Sequence, residues 1–209
     1  SQTDENGKVT EFAYDAAGRM TREGQKTFQY GWLDKVTRIS ENDEVTAEFA
    51  YGNDGQLARV NRFNAQGELD SARSEELFWD GLALIKRNNV SLLNEPYATG
   101  GNPVLAYQQG AGCARSSVFF NDMLGSTIAV MNNDTTTSID MTLFGERDAS
   151  VTATGSTGDS KDAAVSKTSE AVEQEEAFFT GKPEVEELGY AFLFRNYRSS
   201  YGKWQTADP

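Results

Sequence analysis

The stretch at residues 12–20, Phe-Ala-Tyr-Asp-Ala-Ala-Gly-Arg-Met, returns at residues 49–57 as Phe-Ala-Tyr-Gly-Asn-Asp-Gly-Gln-Leu, and looser copies occur at residues 28–36, 77–82 and 119–126. In the first three copies one residue separates two aromatic residues, which places both rings on one face of a β-strand. Asp15 followed by Gly18 is typical of a turn, because aspartate bonds backbone N–H groups and glycine accepts a left-handed backbone. Each copy therefore predicts a β-hairpin.

Alternating polar and apolar residues follow each turn, as expected for the returning strand. Successive hairpins are predicted from Val9 to about Arg87, with loops at residues 41–44 and 64–67. The aromatic rings alone fit the core of any antiparallel sheet, whereas the recurrence of the whole unit indicates a repeat protein. We expect an all-β fold of antiparallel hairpins in a curved, incomplete section of β-sheet.

Composition excludes several classes of function. The 209 residues carry a net charge of −13, which disfavours nucleic acid and anionic membranes as partners. The chain has no histidine and a single cysteine, so Ser-His-Asp catalysis, histidine-ligated metals and an internal disulfide are excluded. No apolar run approaches the roughly 20 residues that cross a bilayer, and no targeting segment is visible. We expect no cofactor, no metal and no membrane insertion.

Residues 148–176 differ from their surroundings. They include no aromatic residue, no leucine and no isoleucine, and seven acidic residues against two lysines give a net charge of −5. Such a segment buries too little apolar surface to offset its ordering entropy, so a flexible acidic insert is predicted. The predicted organisation is hairpin repeats at 1–147, the insert at 148–176 and a third region at 177–209.

The repeats resemble the YD repeats of the Rhs family, named for the dipeptide found here at Tyr14-Asp15. Residues 121–130 (NDMLGSTIAV) are similar to a segment that precedes that family's associated core. Further stretches are similar to other elements of the family, ending in the signature of the core: residues 143–146 (LFGE), 179–182 (FTGK), 187–190 (ELGY), 194–197 (FRNY) and 201–209 (YGKWQTADP). The resemblance implies a structural section of a β-sheet shell that encloses and delivers a C-terminal toxin or effector polypeptide. The implied partners are the rest of the shell and that enclosed polypeptide, and the implied location is the secreted or cell-surface space of a bacterium.

Some members of the family cleave themselves with an aspartic-type core. The resemblance places its essential arginine at Arg195 and one of its aspartates at Asp208, while Asn196 and Lys203 depart from the usual pattern. The second aspartate and the cleavage point fall beyond Pro209, so we expect this segment not to be an enzyme, even where the intact parent is one.

Two alternatives accompany the shell interpretation, and a damaged protease built on that core is one of them. YD repeats also occur in cell-surface proteins, so a module for adhesion or carbohydrate binding is the second hypothesis. It predicts several tyrosine or tryptophan rings exposed in one groove, whereas a shell predicts rings that face a buried interior. Unpaired edge strands also predict self-association at high concentration.

Overall fold

The strands of the computed structural model fall into two compact units. It describes residues 1–3, 7, 9–109, 114–132, 135–147, 153–155 and 178–207. The first unit comprises Ser1–Leu77, Glu186–Arg198 and Lys203–Pro209, and the second comprises Phe78–Val185 and Ser199–Gly202.

The first unit is built from antiparallel strands that pair in chain order. Its strands are β1 (Gln2–Thr3), β2 (Val9–Thr10), β3 (Phe12–Tyr14), β4 (Met20–Glu23), β5 (Lys26–Tyr30), β6 (Val36–Glu41), β7 (Glu44–Tyr51), β8 (Leu57–Arg62) and the start of β9 (Glu75–Asp80). β3 to β8 each pair with the next strand, and β1 pairs with β2. The strand order ends at β3, so the sheet is open.

The second unit repeats this meander. Its strands are β10 (Ala83–Arg87), β11 (Val90–Asn94), β12 (Pro103–Gln109), β13 (Ala114–Asn121), β14 (Thr127–Asn132), β15 (Thr135–Ser138), β16 (Ala153–Gly155), β17 (Phe178–Phe179) and β18 (Lys182–Val185). β10 to β16 pair antiparallel in chain order, and β17 pairs with β18. A 3₁₀ turn at Ser199–Tyr201 also belongs to this unit.

The chain returns to the first unit to form three last strands. These are β19 (Gly189–Ala191), β20 (Asn196–Arg198) and β21 (Lys203–Trp204), paired antiparallel in that order. The described residues contain no α-helix. The prediction of an all-β fold of antiparallel hairpins is confirmed.

One five-residue turn recurs throughout the described chain. It occurs at residues 15–19, 31–35, 52–56, 64–68, 122–126 and 142–146. In every copy the first N–H donates to the fifth carbonyl and the fourth N–H donates to the first carbonyl, at 2.8–3.3 Å. The fourth residue has a positive φ in all six and is glycine in five, with Asp34 as the exception. This is the glycine-bulge connection that suits the twist of a hairpin.

The sequence pattern locates some of these turns and misses others. The loop at residues 41–44 is confirmed as a two-residue turn in which Asn42 and Asp43 both have positive φ. The loop at residues 64–67 is confirmed and proves to be a further copy of the five-residue turn. The copies at 64–68 and 142–146 are not visible as repeats because no aromatic-x-aromatic pair precedes them.

The core of the first unit is a row of paired residues on one sheet face. Phe28 pairs with Ile39, and Ile39 pairs with Ala47, so all three side chains lie on one face. All three are buried, and the row ends at Arg62, which pairs with Ala47. A charged side chain at the end of an apolar row requires partners, which Glu75 on β9 and Glu187, two residues before β19, supply.

The predicted insert lies largely outside the described residues. Within 148–176 only residues 153–155 are described, as β16, which pairs with β15. The boundaries at 148 and 176 therefore stay predictions.

Candidate functional site

The tyrosines of the repeats hold neighbouring hairpins together. The Tyr30 hydroxyl donates to the main-chain oxygen of Met20 at 2.6 Å, and the Tyr51 hydroxyl donates to that of Val36 at 2.8 Å. In both cases the acceptor directly follows the five-residue turn of the preceding hairpin. Burial raises the pKa of both phenols, so they remain protonated donors. Tyr14 occupies the same place on β3 and is 50% exposed.

A cation accompanies each of these two contacts. The Arg19 guanidinium lies 5.1 Å from the ring centre of Tyr30, and the Lys35 amine lies 5.6 Å from that of Tyr51. Arg19 and Lys35 are both the fifth residue of their turns. Cations at this distance are attracted to the ring face, so in these two turns the fifth residue provides a cation and the residue after the turn provides a carbonyl to the next tyrosine.

The aspartate of the repeat stabilises its own turn. Asp15 Oδ1 accepts hydrogen bonds from the N–H groups of Ala17 at 3.0 Å and Arg19 at 2.9 Å, and Oδ2 accepts from Arg19 Nε at 2.6 Å. The backbone hydrogen bond from Arg19 is the main reason that the pKa of Asp15 is lowered. Asp122 repeats this arrangement with Leu124 and Ser126, both at 2.9 Å. Aspartate therefore stabilises the turn at Asp15 and Asp122, whereas the tyrosines that bind the previous hairpin are Tyr30 and Tyr51.

Arg195 lies on the link between β19 and β20. Its carbonyl accepts from the N–H of Phe192 at 3.1 Å, and its guanidinium stacks on Trp204, 4.2 Å from the ring centre. Trp204 also packs edge-on against Phe192, with 5.1 Å between ring centres, and against Tyr197 at 5.2 Å. The predicted partner, Asp208, lies outside the described residues, so the pairing of Arg195 with Asp208 stays a prediction.

Buried Lys35 holds the link on which Arg195 lies. Its amine donates to the carbonyl of Phe192 at 3.2 Å and to the carbonyl of Leu193. Lys35 is only 5% exposed, and burial lowers the pKa of its ammonium to about 8. Two main-chain carbonyls replace the water that a lysine normally binds.

Arg62 on β8 links the segment before β19 to the hairpin strands. It is 3% exposed and binds both oxygens of Glu187, at 2.6 and 2.9 Å, together with Glu75 Oε1 at 2.6 Å. Arg198 on β20 makes a similar pair with both oxygens of Glu23, at 3.1 and 3.0 Å. β20 and the segment before β19 are thus held by ion pairs with two hydrogen bonds each. Two bonds constrain the relative orientation of the two side chains as well as pairing their charges.

The main chain adds a further contact between the same elements. The N–H of Met20 donates to the carbonyl of Gln205 at 3.2 Å, and the N–H of Gln205 donates to the carbonyl of Asn196 at 3.0 Å. Sequence reasoning missed Lys35, Arg62 and Glu187. No local pattern signals them, because their partners lie more than a hundred residues away.

The described residues hold no group of three or more histidine, cysteine, aspartate or glutamate side chains arranged to bind a metal ion. No helix among them is long and apolar enough to cross a membrane.

Comparison with known proteins agrees with the resemblance seen in the repeats. Residues 1–27 match the family model of the RHS Repeat. The fold is similar to a chain in a structure of the Photorhabdus luminescens Tc holotoxin pore carrying a TccC3 mutation, with a TM-score of 0.57 and 10% identity. The match covers 94% of this chain and 9% of that chain. A search of curated proteins finds no significant match. The predicted resemblance to Rhs repeats is confirmed, and the structural likeness concerns the fold.

Proposed function

We propose that this chain is a structural section of an Rhs-type β-shell that encloses and delivers a C-terminal toxin or effector polypeptide. The observation that carries the proposal is the pair of contacts Tyr30–Met20 and Tyr51–Val36, which join one hairpin to the next in addition to the main-chain ladders. A wall of hairpins needs such lateral contacts, because each hairpin alone is marginally stable. The RHS Repeat match at residues 1–27 and the fold likeness support the same role.

The partners under this proposal are the remainder of the shell and the enclosed polypeptide. The compared structure is a holotoxin pore, which supports assembly into a larger toxin complex. A bacterial secreted or cell-surface location follows from such a role. The acidic charge of −13 is in keeping with a protein wall that does not bind nucleic acid.

For the intact parent, self-cleavage by an aspartic-type core is the accompanying proposal. Arg195 is the arginine of that core and Asp208 one of its two carboxylates. The stacking of Arg195 on Trp204 and the contacts of Lys35 to the adjoining link support a fixed arginine at this position. The segment itself is proposed to be catalytically silent.

The alternative function is a cell-surface module for adhesion or carbohydrate binding. It predicts several tyrosine or tryptophan rings lining one groove. In the first unit, the described cavity beside β7 has Phe63 as its single aromatic lining residue. Buried Phe28, Phe49 and Phe119 accord better with a wall.

Protease protection tests the shell proposal. In the full-length polypeptide that contains this chain, a C-terminal polypeptide inside an intact shell should resist a nonspecific protease under native conditions. The variant Arg62→Ala, which removes the cation that binds Glu75 and Glu187, should make it sensitive. The matched control Arg59→Ala removes an exposed pair with Glu76 and should leave protection unchanged. Rapid digestion of the C-terminal polypeptide in the unmodified protein would contradict enclosure.

A further inference from the structure

The Lys35 amine joins a repeat turn to the link that carries Arg195. Lys35 is the fifth residue of the turn between β5 and β6, and the next residue, Val36, accepts the Tyr51 hydroxyl at 2.8 Å. The Tyr51 ring centre lies 5.6 Å from the Lys35 amine. The amine is therefore placed by the pairing of three strands, because the turn lies between β5 and β6 and Tyr51 is on β7.

The link is a tight turn whose carbonyls use Lys35 as their donor. The N–H of Phe192 donates to the carbonyl of Arg195 at 3.1 Å, which closes residues 192–195 between β19 and β20. The carbonyls of Phe192 and Leu193 both accept from the buried Lys35 amine, the first at 3.2 Å. Hydrogen bonds from a charged donor are stronger than those from a neutral one. A carbonyl that loses such a donor favours a position where water replaces it, so without the amine the link should shift away from the turn.

The position of the link determines the position of Arg195. The Arg195 guanidinium lies 4.2 Å from the ring centre of Trp204. Phe192, the first residue of the link, packs edge-on against the same ring, with 5.1 Å between ring centres. A shift of the link therefore moves both the guanidinium and the Phe192 ring relative to Trp204.

We propose that Lys35 is a positioning residue for self-cleavage of the intact parent, because it holds the 192–195 link so that the Arg195 guanidinium stays over Trp204. The inference rests on the self-cleavage proposed above and adds a dependence on the repeats. The arginine is in place only when strands β5–β7 have paired. Cleavage of the parent therefore follows the folding of this part of the wall.

NMR of this chain tests the positioning step without cleavage. Stacking on an indole ring shifts guanidinium protons upfield, so the Nε–H resonance of Arg195 reports the contact, and Lys35→Met should remove most of this shift. Lys182→Met is the matched control and should leave the Arg195 resonance unchanged. Lys182 is also buried and also donates to two carbonyls, those of Leu82 and Gly100, but it belongs to the second unit.

A measurement on the unmodified chain covers the case in which Lys35→Met does not fold. Couplings across the hydrogen bonds from Lys35 Nζ to the carbonyl carbons of Phe192 and Leu193 should be detectable by NMR. Their absence overturns the proposal. An Arg195 resonance that stays in place in folded Lys35→Met also overturns it.

Self-cleavage of the full-length polypeptide tests the consequence. Lys35→Met should slow cleavage about 100-fold, the size expected when a reacting group is misplaced, whereas Lys182→Met should not slow it. Equal slowing in both variants would indicate a general loss of stability and would overturn the positioning role. If the unmodified parent does not cleave, self-cleavage itself is refuted. If the parent cleaves and Lys35→Met cleaves equally fast, only the role of Lys35 is refuted.

Discussion

Arg62 and Glu187 lie 125 residues apart in the chain and form a two-bond ion pair in the first unit, with nitrogen–oxygen distances of 2.6 and 2.9 Å. Arg62 ends the buried row of the hairpin sheet, and Glu187 lies two residues before β19. Glu75 binds the same guanidinium at 2.6 Å. The last strands are thereby fastened to the hairpins through one buried cation.

The first prediction concerns this cation. Arg62→Ala removes the buried cation that binds Glu75 and Glu187 and should lower the free energy of unfolding by about 3–5 kcal/mol. Arg59→Ala removes an exposed ion pair with Glu76 and should cost less than about 1 kcal/mol. Urea denaturation followed by circular dichroism measures both values. Equal losses in the two variants would show that the Arg62 cluster does not fasten the strands.

The second prediction concerns the tyrosine contact. Tyr51→Phe leaves the buried carbonyl of Val36 without its donor and should destabilise the chain by about 1 kcal/mol. Tyr14→Phe is the matched control, because Tyr14 occupies the same place on β3 and is half exposed, so the change should be nearly neutral. The melting temperatures of the two variants, measured by thermal unfolding, test this difference in stability. If Tyr51→Phe left the stability of the chain unchanged, the Tyr51 hydroxyl would not stabilise the contact between neighbouring hairpins.

The third prediction uses two glycines with nearly the same backbone. Gly189 and Gly67 have φ values of 78° and 74°. A Cβ at Gly189 would collide with the main-chain oxygen of Tyr197, whereas one at Gly67 would meet nothing within 4 Å. Gly67→Ala should cost about 1 kcal/mol from the left-handed backbone alone. Gly189→Ala should cost at least about 3 kcal/mol, since the β19–β20 pair must also move.

Chemical denaturation of the two glycine variants separates the cost of the left-handed backbone from the cost of the steric collision. Loss of the Trp204 near-ultraviolet circular dichroism signal in Gly189→Ala alone would locate the damage in the last strands. Similar losses of stability in both variants would contradict the close approach of β19 to β20.

The fourth prediction is a pH dependence set by Lys35. The pKa of its ammonium is lowered from 10.5 to about 8 in the folded chain. Between these values the unfolded chain binds a proton that folded Lys35 has lost, so the free energy of unfolding rises with pH from about 8. Above about pH 10 it should fall again, because tyrosines ionise in the unfolded chain while burial keeps Tyr30 and Tyr51 protonated.

Lys35→Met measures how much the Lys35 ammonium contributes to the pH dependence of stability. It keeps a long apolar side chain without the charge, and it should flatten the rise in melting temperature above pH 8. Lys182, whose pKa is also lowered by burial, should leave a smaller rise in the variant. Parallel pH profiles for the two proteins would contradict the assignment to Lys35.

The fifth prediction is catalytic silence. Aspartic-type hydrolysis needs two carboxylates that share a proton, and the resemblance supplies only Asp208 within this segment. Intact-mass measurements after long incubation between about pH 4 and 8, where such a dyad works, should show an unchanged chain. A loss of mass with time that disappears in Asp208→Asn would refute the prediction.

Sequence reasoning succeeded where the structural cause is local. The turn formed by Asp15 and Gly18 depends on hydrogen bonds within five residues, so the local sequence was enough to predict it. The looser copy at residues 119–126 has adjacent aromatic residues instead, and there Phe119 is buried while Phe120 is exposed, because neighbouring strand residues point to opposite faces.

The contacts that position the candidate site are long-range and could not be predicted in the same way. In the sequence, Lys35 is an ordinary polar residue at the end of a turn. In the structure it is buried against carbonyls 157 and 158 residues away. Its environment depends on where the chain returns after the second unit. Alternation along β8 places Arg62 on the face of buried Val60 and Arg59 on the opposite face, but it does not show which carboxylates bind Arg62.

The central claim is that these hairpins form part of the wall of a closed shell. Electron cryomicroscopy of the full-length polypeptide that contains this chain tests it most directly. The account predicts that residues 12–80 form a continuous section of a wall surrounding density for a separate polypeptide. A structure in which both faces of this sheet are open to bulk solvent, with no enclosed polypeptide, would contradict it.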